Sequence, residues 1–111
     1  MLKLCLLEDI PDGDAIGVET PHGEVVVVRQ GGTIHAYRNE CPHIGISLNF
    51  QPDVFLDTEQ RYIQCANHGA LFQIEDGLCV YGPCQGESLV LLKAQVIDGS
   101  VWIDTTHARK D

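Results

Sequence analysis

CPHIGISLNFQPDVFLDTEQRYIQCANH, residues 41–68 of a 111-residue chain, carries one thiol and one imidazole at each end. Cys41-Pro42-His43 is a C-x-H pair and Cys65-Ala66-Asn67-His68 a C-x-x-H pair, with 21 residues between His43 and Cys65. The ligands of a metal must converge on one small volume, and pairs close in sequence reach it at the lowest conformational cost. Glycines follow both pairs, Gly45 and Gly69, and allow the backbone to turn tightly around a buried group.

Two metal chemistries compete for this pattern. A structural zinc site usually pairs like with like, two cysteines in one loop and two histidines in another. Here each loop contributes one of each, and a single residue separates Cys41 from His43. That arrangement suits two metals, each loop sending its thiolate to one iron and its imidazole to the other, as in a [2Fe–2S] centre where two histidines replace two cysteines on one iron. A zinc-binding interaction module remains the alternative.

The rest of the chain limits what such a centre serves. Its length fits a single domain, residues 1–111, with one core. Five cysteines, an odd number in a chain without secretory context, point to metal rather than to a disulfide framework. The opening MLKLCLLEDIPDGD is too short and acidic for a signal peptide, and no apolar run approaches membrane-spanning length. A cytoplasmic protein without membrane attachment is expected. Sixteen acids against seven bases, a formal charge of -9, disfavour nucleic acid and suit partners with basic docking faces.

The pattern of apolar residues predicts an all-β fold. Strand-like runs fall near 2–7, 24–30 and 33–38, then in RYIQCA, LFQIED, LCVYG, LVLLKAQVIDG and SVWIDT. Gly31-Gly32, Asp76-Gly77 and Asp98-Gly99 lie between runs and read as tight turns. No stretch of a dozen residues has clean helical periodicity, and Pro52 with its polar neighbours makes 44–60 a loop rather than a hidden helix.

On these residues the chain resembles the Rieske iron–sulfur proteins. CPHIG and CANHGALF match the family's two ligand boxes, YGPCQG (81–86) looks like its third, proline-containing loop, and LKAQVIDGSVWI resembles its terminal hairpin. The resemblance implies an antiparallel β sandwich or barrel with a small cluster-binding subdomain inserted at roughly 39–84. It implies one [2Fe–2S] cluster, with Cys41 and Cys65 on an inner iron and His43 and His68 on an outer one. The spacer 44–64 is longer than in the family's most compact ferredoxins.

The neighbours of the boxes narrow the type. High-potential Rieske proteins carry an extra cysteine in each box, forming a disulfide; here those places hold Ile46 and Asn67. The same proteins place serine and tyrosine hydroxyls after the second box, where this chain has Ala70 and Phe72. Hydrogen bonds to the cluster sulfurs stabilise the reduced state, so their loss implies a low potential, about -150 mV. The resemblance therefore implies a low-potential ferredoxin, a monomeric one-electron carrier between a flavin-dependent reductase and a terminal oxygenase or similar enzyme. No second ligand set, catalytic triad or phosphate loop marks it as an enzyme. The small subunit of an assimilatory nitrite reductase is the related alternative.

Cys5 and Cys79 lie in strand-like runs and are expected in the core. Cys84 is expected near the cluster, where loop packing is its simplest role and oxidant sensing or help in cluster assembly the alternative. A Cys79–Cys84 disulfide is possible in principle, and a reducing compartment argues against it. His22 and His35 lack ligand spacing, His107 belongs to the polar tail, Pro83 either stiffens the third loop or is an ordinary turn proline, and Val101 and Trp102 are expected in the core.

Overall fold

The computed structural model describes residues 2–30, 32–42, 47–49, 54–66 and 69–104. Its strands are β1 (Leu2–Leu6), β2 (Ala15–Thr20), β3 (Gly23–Gln30), β4 (Thr33–Arg38), β5 (Tyr62–Gln64), β6 (Leu71–Gln73), β7 (Cys79–Tyr81), β8 (Leu91–Leu92), β9 (Ala94–Ile97) and β10 (Ser100–Ile103). They form three antiparallel sheets in the orders β1-β10-β9, β2-β3-β4-β8 and β5-β6-β7. Among the described residues there is no α-helix, only a 3-10 turn at Leu7–Asp9.

β3 explains the architecture. Its run Val25-Val26-Val27-Val28 is buried throughout, which a strand with one wet face does not permit. Side chains alternate across a sheet, and the valines divide accordingly. Val25 and Val27 join a cluster with Ile10, Ala36, Leu92, Val101 and Ile103. Val26 and Val28 join another with Tyr37, Cys41, Cys65, Phe72 and Cys84. The four-stranded sheet therefore has a core on each face. Each valine, fully withdrawn from water, contributes on the order of 1.5–3 kcal/mol of transfer free energy.

The expected turns hold the strands in register. Gln30 opposes Thr33 across the two-residue connection at 31–32, of which Gly31 lies outside the described residues. At the β9–β10 hairpin Asp98 and Gly99 both have positive φ, 50° and 77°, as a type I′ turn requires. Gly77, at φ 75°, lies against the Tyr37 ring, which a Cβ there would approach to 2.8 Å.

Two elements went unread in the sequence. β2 (AIGVET) is only partly apolar, and most of its side chains are half-buried because it lies at the sheet edge. The turn at Leu7–Asp9 is too short to have periodicity, and Asp9 fixes it by accepting the Leu6 N–H at 3.0 Å. Val101 is buried as expected; Trp102 is half-buried, on the other face of β10. Of the spacer, residues 47–49 and 54–64 are described and contain no helix. Leu56 bridges to Ile63, and Asp57 Oδ1 accepts the N–H groups of Arg61 and Tyr62, turning the chain back into β5.

Candidate metal centre

The first box begins where β4 ends. Beyond Arg38 the chain turns, and the Asn39 N–H donates to the Glu24 carbonyl at 2.9 Å. The Asn39 side chain, 6% exposed, then spans the box. Its amide donates to Glu24 Oε1 at 2.7 Å and Asn49 Oδ1 at 2.9 Å, while its oxygen accepts the Leu48 N–H at 2.7 Å. One side chain thus ties β3 and the end of β4 to the segment that leaves the box. Nothing in the local sequence marks Asn39 for this role, because a lone Asn before Glu-Cys reads as a turn residue.

The second box grows out of β5. Gln64 donates its N–H to the Phe55 carbonyl at 2.7 Å, and Cys65 follows directly. The loop closes on itself, with Cys65 N–H donating to the Ala70 carbonyl (2.9 Å) and Gly69 N–H to the Cys65 carbonyl (2.8 Å). Gly69 has φ 68°, the left-handed region a side chain would strain. The two boxes are joined through one residue: Leu48, held by Asn39, accepts the Ala66 N–H at 2.7 Å.

Cys41 and Cys65 are both fully buried and belong to one apolar cluster with Leu48, Ala70, Phe72 and Cys84. His43 and His68 lie outside the described residues, as do Ile46 and Asn67. Among the described residues no three metal-binding side chains converge, so the cysteine half of the predicted set carries the test of fit. Two thiols, delivered by two loops that share a hydrogen bond and shielded from water, suit a sulfur-rich cluster; a buried thiolate needs such a partner for its charge.

The third loop leaves β7. Gly82, at φ 108°, presses on the second box so closely that a Cβ there would stand 2.8 Å from Ala70 Cα. Cys84 and Cys79 are both buried, and the Cys84 thiol donates to Cys79 Sγ at 3.0 Å. Burial first, then that contact and the charges of Cys79 and Cys41, push the Cys84 thiol up to about 12. Among the described residues, which include all five cysteines, none is joined in a disulfide. Cys5 is half-buried in β1, and its pKa is raised by burial and by Asp9. His35 is half-buried in β4, where burial lowers its pKa against the opposing charge of Glu75. His22 lies exposed in the β2–β3 turn.

Residues 1–100 match the Rieske [2Fe-2S] domain, and the chain belongs to that family. Its cofactor is therefore one [2Fe–2S] cluster of the Rieske type, which sets zinc aside. The chain is similar to the ferredoxin component of the naphthalene 1,2-dioxygenase/salicylate 5-hydroxylase systems of Ralstonia sp, at 34% identity over 77 residues, 69% of each chain. It is also 32% identical over 74 residues to apoptosis-inducing factor 3 of Mus musculus, covering 67% of this chain but spanning only 11% of that relative's length. Among solved structures, the Sphingomonas yanoikuyae B1 ferredoxin superimposes with a TM-score of 0.73 at 26% identity, covering 93% of this chain and 96% of its own. Among the described residues no helix is long and apolar enough to cross a membrane.

Proposed function

We propose that this protein is a one-electron carrier, a low-potential Rieske-type ferredoxin that receives an electron from a flavin-dependent reductase and passes it to an oxygenase or similar terminal enzyme. The observation that carries the reading is the burial of two cysteines, on two loops joined by a hydrogen bond, within one apolar cluster. The role of the Ralstonia relative as a ferredoxin component supports it.

Cys41 and Cys65 would hold one iron of the cluster, and His43 and His68 the other. A bound cluster supplies reversible one-electron chemistry. The chain's own residues do the rest. Asn39 and Leu48 fix the two boxes relative to each other, so that little rearrangement accompanies a change of charge. The buried thiols exclude water from the sulfur side. Ala70 and Phe72, both fully buried, offer no side-chain donor to the sulfurs, which supports a potential near the low end of the range, about -150 mV. The formal charge of -9 speeds encounter with basic docking faces and disfavours nucleic acid. We place the chain in the cytoplasm as a monomer of one domain, with residues 39–84 forming the cluster-binding subdomain. It acts as a component of a redox system and not as an enzyme.

The test is anaerobic reduction by NAD(P)H through a flavin-dependent ferredoxin reductase, followed by mixing with an oxidised oxygenase. Reduction by one electron per chain and rapid reoxidation are expected. A chain that dithionite reduces but reductases and oxygenases leave untouched sinks the reading.

A further inference from the structure

The third loop contains a sulfur pair that electron carriage does not use. Cys79 begins β7, and Cys84 lies five residues on, after the turn Gly82-Pro83. Their Sγ atoms are 3.0 Å apart, about an ångström from the roughly 2.05 Å of a disulfide bond. The contact is directional: the Cys84 thiol points at Cys79 Sγ, while the Cys79 thiol donates to the Tyr81 carbonyl at 3.3 Å. Both sulfurs are buried, Cys84 wholly and Cys79 to 2% exposure, so neither is placed to react with a large molecule.

The segment between them is held lightly. Gly86 N–H reaches the Cys79 carbonyl at 3.3 Å and Gln85 N–H the Gly82 carbonyl at 3.2 Å, both near the long limit for such bonds. The base is firmer, with Cys79 N–H on the Glu87 carbonyl at 2.8 Å and Glu87 N–H on the Cys84 carbonyl at 2.9 Å. The loop presses through Gly82 on Ala70, whose carbonyl accepts the Cys65 N–H. Tightening the loop therefore bears on the second ligand box.

We infer that Cys79 and Cys84 are a reversible dithiol–disulfide latch, closed by hydrogen peroxide or another small hydroperoxide, that holds the third loop down on the second box. In the closing step two S–H bonds and the O–O bond of the peroxide break and one S–S bond forms. Two electrons pass from the sulfurs to the peroxide oxygens, and both protons leave in water. A small dithiol reductant returns two electrons and two protons and reopens the pair. The inference goes beyond the electron-carrier reading, since the sulfur pair and the loop do not depend on which partners the protein serves.

The test uses the cluster-loaded full chain, prepared anaerobically, given one equivalent of hydrogen peroxide and then catalase. Free thiols are alkylated under denaturing conditions, and the chain is cut after Glu75 and Glu87. The resulting 76–87 peptide contains Cys79 and Cys84 and no other cysteine. The expected product is unalkylated and two hydrogens lighter than the dithiol, and dithiothreitol restores two alkylatable thiols; Cys5 stays alkylatable throughout. Cluster loss to a chelator, followed by visible absorbance, is expected to be roughly tenfold slower in the closed form, because a short cross-link suppresses opening of the segment it closes. In the double variant C79S/C84S, peroxide leaves that rate unchanged. A peptide still carrying two alkylatable thiols, or one oxidised to sulfinic acid without a cross-link, overturns the pair. A cross-link that leaves the rate of cluster loss unchanged overturns the latch.

Discussion

Replacing Asn39 with alanine tests whether one buried amide holds the two ligand boxes together. The side chain makes three hydrogen bonds, to Glu24 Oε1, Asn49 Oδ1 and the Leu48 N–H, and the last is buried. Asn39→Ala strands the Leu48 N–H without its partner, costing about 1–3 kcal/mol, and removes a bond to a carboxylate worth about 1.5 kcal/mol. A net loss of about 3 kcal/mol is expected, lowering Tm by about 13 °C in a chain of this size. Because Leu48 also accepts the Ala66 N–H, the damage should spread to the second box, and cluster absorbance should bleach faster in chelator. Asn39→Asp keeps the acceptor for Leu48 but sets a second carboxylate against Glu24. Adding Glu24→Gln should then recover about 1 kcal/mol in a double-mutant cycle. An Asn39→Ala protein that melts within about 2 °C of wild type and keeps its cluster as long refutes this account of the clamp.

The other predictions are narrower. Gly82→Ala puts a methyl group 2.9 Å from Ala70 Cβ at φ 108°, and is expected to cost about 2–3 kcal/mol in denaturant unfolding. Ala70→Ser or Phe72→Tyr, which supply hydroxyls, should raise the potential by about 50 mV each, the one-electron equivalent of about 1 kcal/mol; voltammetry with no rise in either contradicts the low-potential reading. Tyr37 is buried and donates its O–H to the Ile74 carbonyl, and burial, with the charges of Asp76 and Glu75 adding to it, lifts its pKa well above the ordinary phenol value. Its contribution is fully present below the unfolded-state pKa near 10 and is lost as pH rises from there through the higher folded-state pKa, because only the unfolded chain has released the proton. Tyr37→Phe should flatten that alkaline limb in pH-dependent unfolding while costing about 1 kcal/mol at neutral pH.

The site was more legible in the sequence than the framework supporting it. Cys41 and Cys65 could be picked out because two short-range Cys/His pairs are rare and chemically specific. The valine run and the Asp98-Gly99 turn announced β3 and the last hairpin, since four consecutive apolar β-branched residues and a turn of two positive φ angles leave little choice. Asn39 could not be found this way: its partners Glu24 and Asn49 lie 15 and 10 residues off, and only tertiary structure brings them together. The Cys79–Cys84 pairing could be raised from the sequence but not decided, for a related reason. Spacing allows a pair five apart to meet or to diverge; the extra residue Val80 in β7, facing consecutive Leu71 and Phe72, and the positive φ at Gly82 and Gly86 accompany the turn that brings them together. β2 was missed because an edge strand needs no strong apolar alternation.

A two-iron, two-sulfide cluster held by Cys41, His43, Cys65 and His68 stands or falls on its metal content and its magnetic signature. Iron and acid-labile sulfide analysis of anaerobically purified protein, with EPR after dithionite reduction, tests it most directly. Near-equal iron and sulfide at about two of each per chain, with a Rieske-type signal that disappears in both Cys41→Ser and His68→Ala, is the predicted result. Stoichiometric zinc, or an EPR signal that survives the loss of either ligand, contradicts it.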